Sequence, residues 1–134
     1  MNLLESLPDV LLTKINEYAN YTPKTNQELK IAVNEWCENK DYIYESVLNK
    51  YGHISLWNTE NITDMSKLFK EKENFNSDIS NWNVINVTDM SYMFYNASSF
   101  NRSLNKWNVS NVRNMDRMFG LSMQQLPKWY VTKK

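Results

Sequence analysis

The residue types that most often perform catalysis are scarce in this chain of 134 residues. His53 is the only histidine and Cys37 the only cysteine. With one histidine and one cysteine, the sequence offers no Ser/His/Asp or Cys/His set with a spare base, and no group of histidines that could form a zinc site. We expect His53 to have a structural role. We expect Cys37 to lie on the apolar side of a helix, as a residue of the protein core. With only two glycines, Gly52 and Gly120, the chain also lacks a glycine-rich phosphate loop.

The carboxylates form no recognisable pair of general acid and general base. Asp64 and Asp89 are 25 residues apart and would suit a column of metal-binding oxygens. Asn114 takes the next place in that column, and no other hard ligand recurs at the same interval. A structural role is therefore favoured over a metal site. The sequence predicts no enzyme activity, no cofactor, no metal and no small-molecule substrate.

The same interval of 25 residues runs through the C-terminal half of the chain. Three units begin at Trp57, Trp82 and Trp107; without gaps, the first and second match at 10 of 25 positions, and the second and third at 8. Such a fixed interval is typical of stacked repeats. The recurring apolar positions, which we expect to form the interior, are Trp57/Trp82/Trp107, Ile62/Val87/Val112, Met65/Met90/Met115, Leu68/Met93/Met118 and Phe69/Phe94/Phe119.

The spacing within a unit predicts a short strand followed by a helical turn. Residues 82–87 are β-compatible and roughly alternate. Met90, Met93 and Phe94 then fall at i, i+3 and i+4, which is typical of a helix. Each unit is thus predicted as a strand, a short helix or 3₁₀ turn, and a return loop. This predicts an α+β repeat fold, a short solenoid of three coils similar to a leucine-rich repeat.

Two polar positions recur beside the apolar ones, and we interpret them with the tryptophans as a structural ladder. Their members are Asp64/Asp89/Asn114 and Asn61/Asn86/Asn111. The first set precedes the predicted helical turn, where a side-chain oxygen can cap free backbone N–H groups. The second set lies at the end of the predicted strand, where a buried amide can bond to backbone groups that a bend leaves unpaired.

The N-terminal part of the chain predicts three helices. Leucines recur at largely helical spacing within residues 3–19. Thr25 and Glu28 are spaced as a capping box that opens a second helix. Asp41 is predicted to start a third helix, which Gly52 closes because glycine tolerates a left-handed conformation.

We interpret the chain as one structural unit with two parts. Residues 1–52 form an N-terminal helical cap, and residues 53–134 form the three-coil array with a degenerate C-terminal coil. The third unit loses the repeat pattern after Phe119, where Gln125 and Trp129 replace apolar residues of the earlier units. An end coil has no neighbour to bury its outer face, so an atypical sequence is expected there.

Residues 82–94, W-N-V-I-N-V-T-D-M-S-Y-M-F, and residues 100–104, F-N-R-S-L, resemble the BspA-like repeats, also called mycoplasma-lipoprotein-type repeats. Residues 29–37 and 51–59 are similar to the segment that leads into such arrays. The resemblance covers residues 27–120. It implies a leucine-rich-repeat-like fold used for binding and offers no catalytic residues. Members occur as bacterial surface proteins and in protists and large DNA viruses, but this chain shows no signal peptide and no lipidation cysteine near its start.

A second resemblance concerns residues 7–18, L-P-D-V-L-L-T-K-I-N-E-Y. They are similar to the opening helix of an F-box, the segment that docks onto the adaptor of a ubiquitin ligase. The resemblance implies an F-box-like adaptor as an alternative function.

Composition limits the partners and the compartment. The formal net charge is zero, so no strong field favours nucleic acid or an anionic membrane. The N-terminus carries Glu5 and Asp9 and does not resemble a secretory signal, and a single cysteine suits a reducing compartment. We therefore expect an intracellular protein, in a host cytoplasm, or a virion component. The 20 asparagines, and lysine outnumbering arginine 12 to 3, are typical of AT-rich genomes, as in large DNA viruses and some protists.

The candidate contact residues are those that break the repeat. Tyr92 and Tyr95 stand where the other units have Lys67/Arg117 and Lys70/Gly120, and tyrosine is favoured in interfaces. Arg113 and Arg117 belong to a basic group in the last unit. The sequence thus predicts a non-enzymatic protein-interaction or structural module with an unknown protein partner. A surface adhesin, which would have to be secreted, is the remaining alternative.

Overall fold

The computed structural model describes residues 21–38, 44–122 and 125–133. They contain three α-helices, α1 (Asn26–Cys37), α2 (Tyr44–Tyr51) and α3 (Lys128–Lys133), and a 3₁₀ helix (Ile54–Leu56). None of these helices has the length and apolar character needed to cross a bilayer. The helix predicted within residues 3–19 and the predicted helix start at Asp41 lie outside the described residues.

Helix α1 begins as its capping residues predict. The Thr25 hydroxyl accepts a hydrogen bond from the Glu28 N–H at 3.1 Å. The Glu28 carboxylate reaches back to the N–H of Lys24 at 2.7 Å, one residue before the position of a standard capping box. Its buried residues are Leu29, Ala32, Val33 and Trp36. They form one apolar face that packs into the core.

Helix α2 ends at the predicted glycine. Gly52 has a φ of 69°, and its N–H donates to the carbonyl of Leu48 at 2.8 Å. A residue with a side chain would be strained in this left-handed conformation, which is why glycine closes the helix.

The predicted α+β solenoid of three leucine-rich-repeat-like coils is wrong. The described residues contain no β-strand; the β-bridges between their repeat units are isolated parallel ones, Asp64 to Asp89 and Asp89 to Asn114. The strand predicted over residues 82–87 is instead a bend, in which the N–H of Val87 donates to Val84 at 3.0 Å. The side chain of Asn83 adds a second local bond, accepting from the N–H of Ile85 at 3.1 Å. Such local bonds compete with an extended conformation.

The predicted helical turn is also absent. Residues 90–97 form three overlapping β-turns, each closed by an N–H donating to the carbonyl three residues earlier. Tyr92 and Asn96 have positive φ angles of 57° and 55°. A right-handed helix cannot continue through left-handed residues, so this segment is a ribbon of turns that happens to share the i, i+3, i+4 spacing. We call residues 65–72, 90–97 and 115–122 the first, second and third turn ribbons.

The turn ribbons are stacked through every second backbone N–H. Met65, Lys67, Phe69 and Glu71 donate to the carbonyls of Asp89, Ser91, Met93 and Tyr95 at 2.8–2.9 Å. Met90, Tyr92, Phe94 and Asn96 donate in the same way to Asn114, Asp116, Met118 and Gly120. The intervening N–H groups close the turns inside each ribbon. Because the two sets alternate, the N–H groups of the first and second ribbons find acceptors without a strand or a helix.

The core lies behind the ribbons and consists of columns of recurring residues. All recurring apolar positions are buried, as the sequence predicts. Phe94 stacks between Phe69 and Phe119, with ring centroids 5.4 and 5.6 Å apart. Phe75 and Phe100 form a second column, 5.5 Å apart, that packs against the first.

The tryptophan column continues beyond the third unit. The indole N–H groups of Trp82 and Trp107 donate to the carbonyls of Ile54 and Ile79, 28 residues earlier in each case. Trp129 in α3 donates to Leu104, the next carbonyl in that series, and stacks on Trp107 at 6.4 Å. Although its sequence position aligns with Ile79 and Leu104, Trp129 therefore serves as a further rung of the tryptophan column and covers the end of the core.

Candidate protein-interaction surface

The second turn ribbon holds both candidate tyrosines at the surface. Tyr92 occupies a left-handed position, and the N–H of Tyr95 donates to the carbonyl of Tyr92 at 3.2 Å. Their rings are 5.4 Å apart and inclined at 51°. Both side chains are half-buried, so one part of each packs on the protein and the remainder faces solvent. Tyrosine offers an apolar body and a polar tip in such a position.

A lysine from the first ribbon lies over both tyrosine rings. The Lys70 ammonium lies 5.6 Å from the centre of the Tyr92 ring and 5.9 Å from that of Tyr95. These distances are within the range of cation–π attraction, which contributes about 0.5–1 kcal/mol at an exposed site. We call Lys70, Tyr92 and Tyr95 the tyrosine surface.

Gly120 makes room for Tyr95 on the other side. A Cβ atom at position 120 would lie 2.6 Å from the Cδ2 atom of the Tyr95 ring. Only glycine allows the ring to rest so close to the third ribbon. Lys70, Tyr95 and Gly120 occupy the same position in successive units, so their interaction depends directly on the stacking of the ribbons.

The two candidate arginines lie in the third unit and are both exposed. Arg117 has a φ of 51° and follows Lys67 and Tyr92 in the same column. Arg113 lies on the segment that enters the third ribbon, and its N–H donates to Thr88 at 2.8 Å. Arg117 therefore occupies the position in the third ribbon that Tyr92 occupies in the second. Arg113 lies outside the third ribbon, four residues earlier in the chain.

The asparagine ladder differs from the expectation of buried amides. Asn61, Asn86 and Asn111 are exposed. Asn86 and Asn111 nevertheless tie the units together, because their Nδ2 groups donate to the carbonyls of Glu60 and Ile85 at 2.7 and 2.6 Å. Being 26 residues from their acceptors, they connect the edges of neighbouring units at the surface.

The Asp/Asn column lies at the entry to each turn ribbon. Asp64, Asp89 and Asn114 each accept, through Oδ1, the N–H of the residue two positions later at 2.8, 2.8 and 3.0 Å. Each side chain thereby satisfies the one N–H at the start of its ribbon that neither the turns nor the next unit use. The structure therefore gives these oxygens local backbone partners.

Sequence reasoning did not identify the parts that Lys70, Gly120 and Asn26 play. The alignment of the units does place Lys70 and Gly120 in the Tyr95 column, which was the available signal. Asn26 had no such signal, because its contact joins residues 37 and 38 positions apart.

Residues 19–133 match the model of the family described as "Mycoplasma protein of unknown function, DUF285". The match covers most of the chain and all three repeat units. The chain belongs to this family. No curated protein and no solved structure matches it.

Membership of the DUF285 family agrees with the mycoplasma-type part of the resemblance seen in the sequence. The family's function is unknown, so membership brings no activity to test. The F-box-like resemblance is not supported by any match, and residues 7–18 precede both the matched and the described parts of the chain.

The single histidine of this DUF285 protein has a structural environment. His53 is 4% exposed, and its Nδ1 accepts the N–H of Ser55 at 3.2 Å. Its ring contacts Trp36 edge to face, with centroids 5.0 Å apart. Burial lowers the pKa of His53 from 6.5 to about 4, so the imidazole is neutral and shielded at neutral pH.

Cys37 and Tyr21 both have raised pKa values. Burial raises the pKa of the Cys37 thiol to about 12, which disfavours the nucleophilic thiolate. Burial, together with the nearby Tyr51, raises the pKa of Tyr21 to about 12. In the described part of the chain, no three His, Cys, Asp or Glu residues are grouped to hold a metal ion.

Proposed function

We propose that this DUF285 protein is a non-enzymatic protein-interaction module whose contact surface is the tyrosine surface. The observation that supports this is the arrangement of Tyr92 and Tyr95, 5.4 Å apart and half-exposed, beneath the Lys70 ammonium. These side chains lie outside the recurring core columns. The repeat therefore does not need tyrosine at either position.

The backbone around this surface favours binding with little loss of conformational entropy. Tyr92 is held by a turn on one side and by its N–H bond to Asp116 on the other, at 2.9 Å. Tyr95 is confined between Lys70 and Gly120. Aromatic groups that are positioned before binding give affinity because few rotamers have to be fixed on association.

The proposal is tested with residues that the repeat itself accepts. Tyr92→Arg and Tyr95→Gly install the residues of the third unit, so the double variant should fold. Proteins retained from the source cells by the wild-type chain are identified, and each is then purified and titrated calorimetrically against both forms. We expect at least one partner whose affinity falls about tenfold or more in the double variant.

A matched control is Lys30→Ala, on the exposed side of α1 and away from the tyrosine surface. It should bind as the wild type does. A purified partner that binds the double variant and the wild type equally, while both show the same unfolding transition, would place the contact elsewhere and overturn the proposal.

A further inference from the structure

The third turn ribbon presents a row of backbone N–H donors at the end of the stack. In the first and second ribbons, every second N–H donates to the next unit. The equivalent donors of the third ribbon are those of Met115, Arg117, Phe119 and Leu121, and within the residues that the structure describes they have no acceptor. We call this row of N–H groups the donor edge.

The C-terminal helix α3 packs over the core beside the donor edge. Trp129 stacks on Trp107, and Tyr130 meets the Phe119 ring edge to face at 5.0 Å. Leu121, at the end of the edge, is 68% exposed. The adjacent Ser122 Oγ is shielded from solvent and has no hydrogen-bond partner among the residues that the structure describes. Buried polar groups without partners are unfavourable, so an added acceptor would be stabilising here.

Two of the three exposed charged side chains in residues 113–117 also favour an acceptor; the third is the carboxylate of Asp116. Arg113 and Arg117 are exposed, and neither has an acidic partner in the described part of the chain. Backbone N–H groups and guanidinium groups are both donors. A partner that presents carbonyl and carboxylate oxygens therefore complements the edge in hydrogen bonding and in charge.

A second copy of the chain does not fit as the occupant. Two donor edges cannot pair, because both present N–H groups. At the other end of the stack, Asn26 fixes α1 to the entry of the first ribbon, and Trp36 packs against Trp57 at 6.1 Å. A helix is about 10 Å across, about twice the spacing of hydrogen-bonded backbones, so α1 occupies the space beside Thr63 and Trp57 that a second molecule's third unit would need in order to continue the stack.

We propose that the donor edge binds an acidic peptide segment of a protein partner, whose alternate backbone carbonyls accept the free N–H groups. Peptides that add a strand to an exposed sheet edge bind through the same kind of main-chain hydrogen bonds, here made to a turn ribbon. This peptide binding rests on the proposed function as a protein-interaction module, but it uses a surface separate from the tyrosine surface. Arg113 and Arg117 select for carboxylates in the added segment.

The second ribbon supplies a probe for the test. A synthetic peptide of residues 87–97, V-T-D-M-S-Y-M-F-Y-N-A with blocked ends, has one Asp and no basic residue, hence a charge of −1. It contains the carbonyls of Asp89, Ser91, Met93 and Tyr95. In the protein these carbonyls accept the equivalent N–H groups of the first ribbon. The peptide of residues 62–72, I-T-D-M-S-K-L-F-K-E-K, has three Lys against one Asp and one Glu, hence +1, and serves as the control.

Amide hydrogen exchange of the full chain, followed by NMR, measures the donor edge directly. In the free protein we expect the N–H groups of Arg117 and Leu121 to exchange at least about tenfold faster than those of Tyr92 and Asn96, which have acceptors. The peptide of residues 87–97 should slow Arg117 and Leu121 several-fold, and that of residues 62–72 should do so more weakly. Slow exchange in the free protein, or no slowing at millimolar peptide, would overturn the proposal.

Two double variants measure how much charge contributes to peptide binding and distinguish the donor edge from the tyrosine surface. Arg113→Thr with Arg117→Tyr installs residues of the second unit and should weaken the peptide about five- to tenfold, since exposed ion pairs contribute modestly. Equal affinity in this variant would refute the selection for carboxylates. Tyr92→Arg with Tyr95→Gly leaves the donor edge intact, so peptide protection should persist there whether or not the tyrosine surface binds a partner.

Discussion

At the scale of single residues, the fold depends on left-handed positions that are not occupied by glycine. Six residues in the turn ribbons have φ between 51° and 62°: Lys67, Glu71, Tyr92, Asn96, Arg117 and Leu121. Each costs about 1 kcal/mol relative to an ordinary conformation. The cost is offset because each ribbon closes its own turns and bonds to its neighbour. The side chains at these positions point away from the core, which leaves their identity open to function.

His53 provides a prediction on pH at this scale. Its pKa is lowered by burial to about 4 in the folded chain, against 6.5 when unfolded. The unfolded chain therefore binds more protons between these values, and stability falls as the pH falls from 6.5 to 4. The difference corresponds to a loss of about 3 kcal/mol in the free energy of unfolding. Urea unfolding of the wild type and of His53→Gln across this range measures it.

The His53→Gln variant should show a flatter dependence on pH over that window, whatever its absolute stability. Asp78 titrates lower: burial alone would raise its pKa, but bonds from Ser80 and the charges of Arg102 and Lys106 lower it below 3.8. Most of its contribution is lost below that pH, and it is shared by both proteins, so the difference between their pH dependences isolates the histidine. An identical slope in both proteins would show that His53 is not the group responsible.

At the scale of elements, α1 takes the place of a unit before the first. In the repeat, the Thr63 carbonyl accepts the N–H of Thr88 at 2.8 Å. No repeat unit precedes the first among the described residues, so the N–H of Thr63 donates instead to the Asn26 Oδ1 atom at 3.0 Å. The same oxygen accepts the N–H of Asp64 at 3.2 Å. The Asn26 Nδ2 donates to the Thr63 hydroxyl at 3.1 Å. A side-chain amide thus imitates the backbone of a preceding unit.

Replacing Asn26 by alanine tests this connection. Two N–H groups would lose their acceptor, and we expect the free energy of unfolding to fall by about 1–2 kcal/mol. Asn26→Asp keeps the acceptor oxygen and should recover part of the loss. Gln27→Ala, one residue later and exposed on the same helix, should change stability by less than about 0.5 kcal/mol. Equal effects of the Asn26 and Gln27 substitutions would show that the bridge contributes nothing.

At the scale of the whole molecule, stability depends on contacts between successive units. Phe94 contacts Phe69, Phe100 and Phe119 at 5.4, 4.5 and 5.6 Å and is fully buried. It therefore connects the first, second and third units through one side chain. Chains built in this way derive cooperativity from the interfaces between neighbours.

Phe94→Ala should accordingly be among the most damaging single substitutions. We expect a loss of about 3–5 kcal/mol, from buried area and from the cavity left behind. Thermal and urea unfolding followed by tryptophan fluorescence measures the loss. Ile31→Ala, at a side chain that is 46% exposed, is the control and should have a small effect. A loss below about 1 kcal/mol for Phe94→Ala would contradict the central place of this column.

The features that the sequence determined by itself are those with a local or strictly periodic cause. Thr25 and Gly52 mark helix ends because their hydrogen bonds are made within four residues of the chain. The buried columns were predictable because an interval of 25 residues brings equivalent side chains together in any stack. The assignment to strand and helix failed because a ribbon of overlapping turns has the same apolar spacing as a helix, and spacing alone does not specify backbone angles.

Tertiary structure alone decided the features that depend on how the units meet. The Lys70 ammonium reaches Tyr92 and Tyr95 because one ribbon lies directly against the next. Stacking also determines the exposed asparagine ladder, the contact of Asn26 with Thr63 and the donor edge of the third ribbon. Each depends on where a backbone group points after stacking, and residue types do not encode that direction. The repeat made the interior predictable, whereas both proposed binding surfaces follow from the stacking.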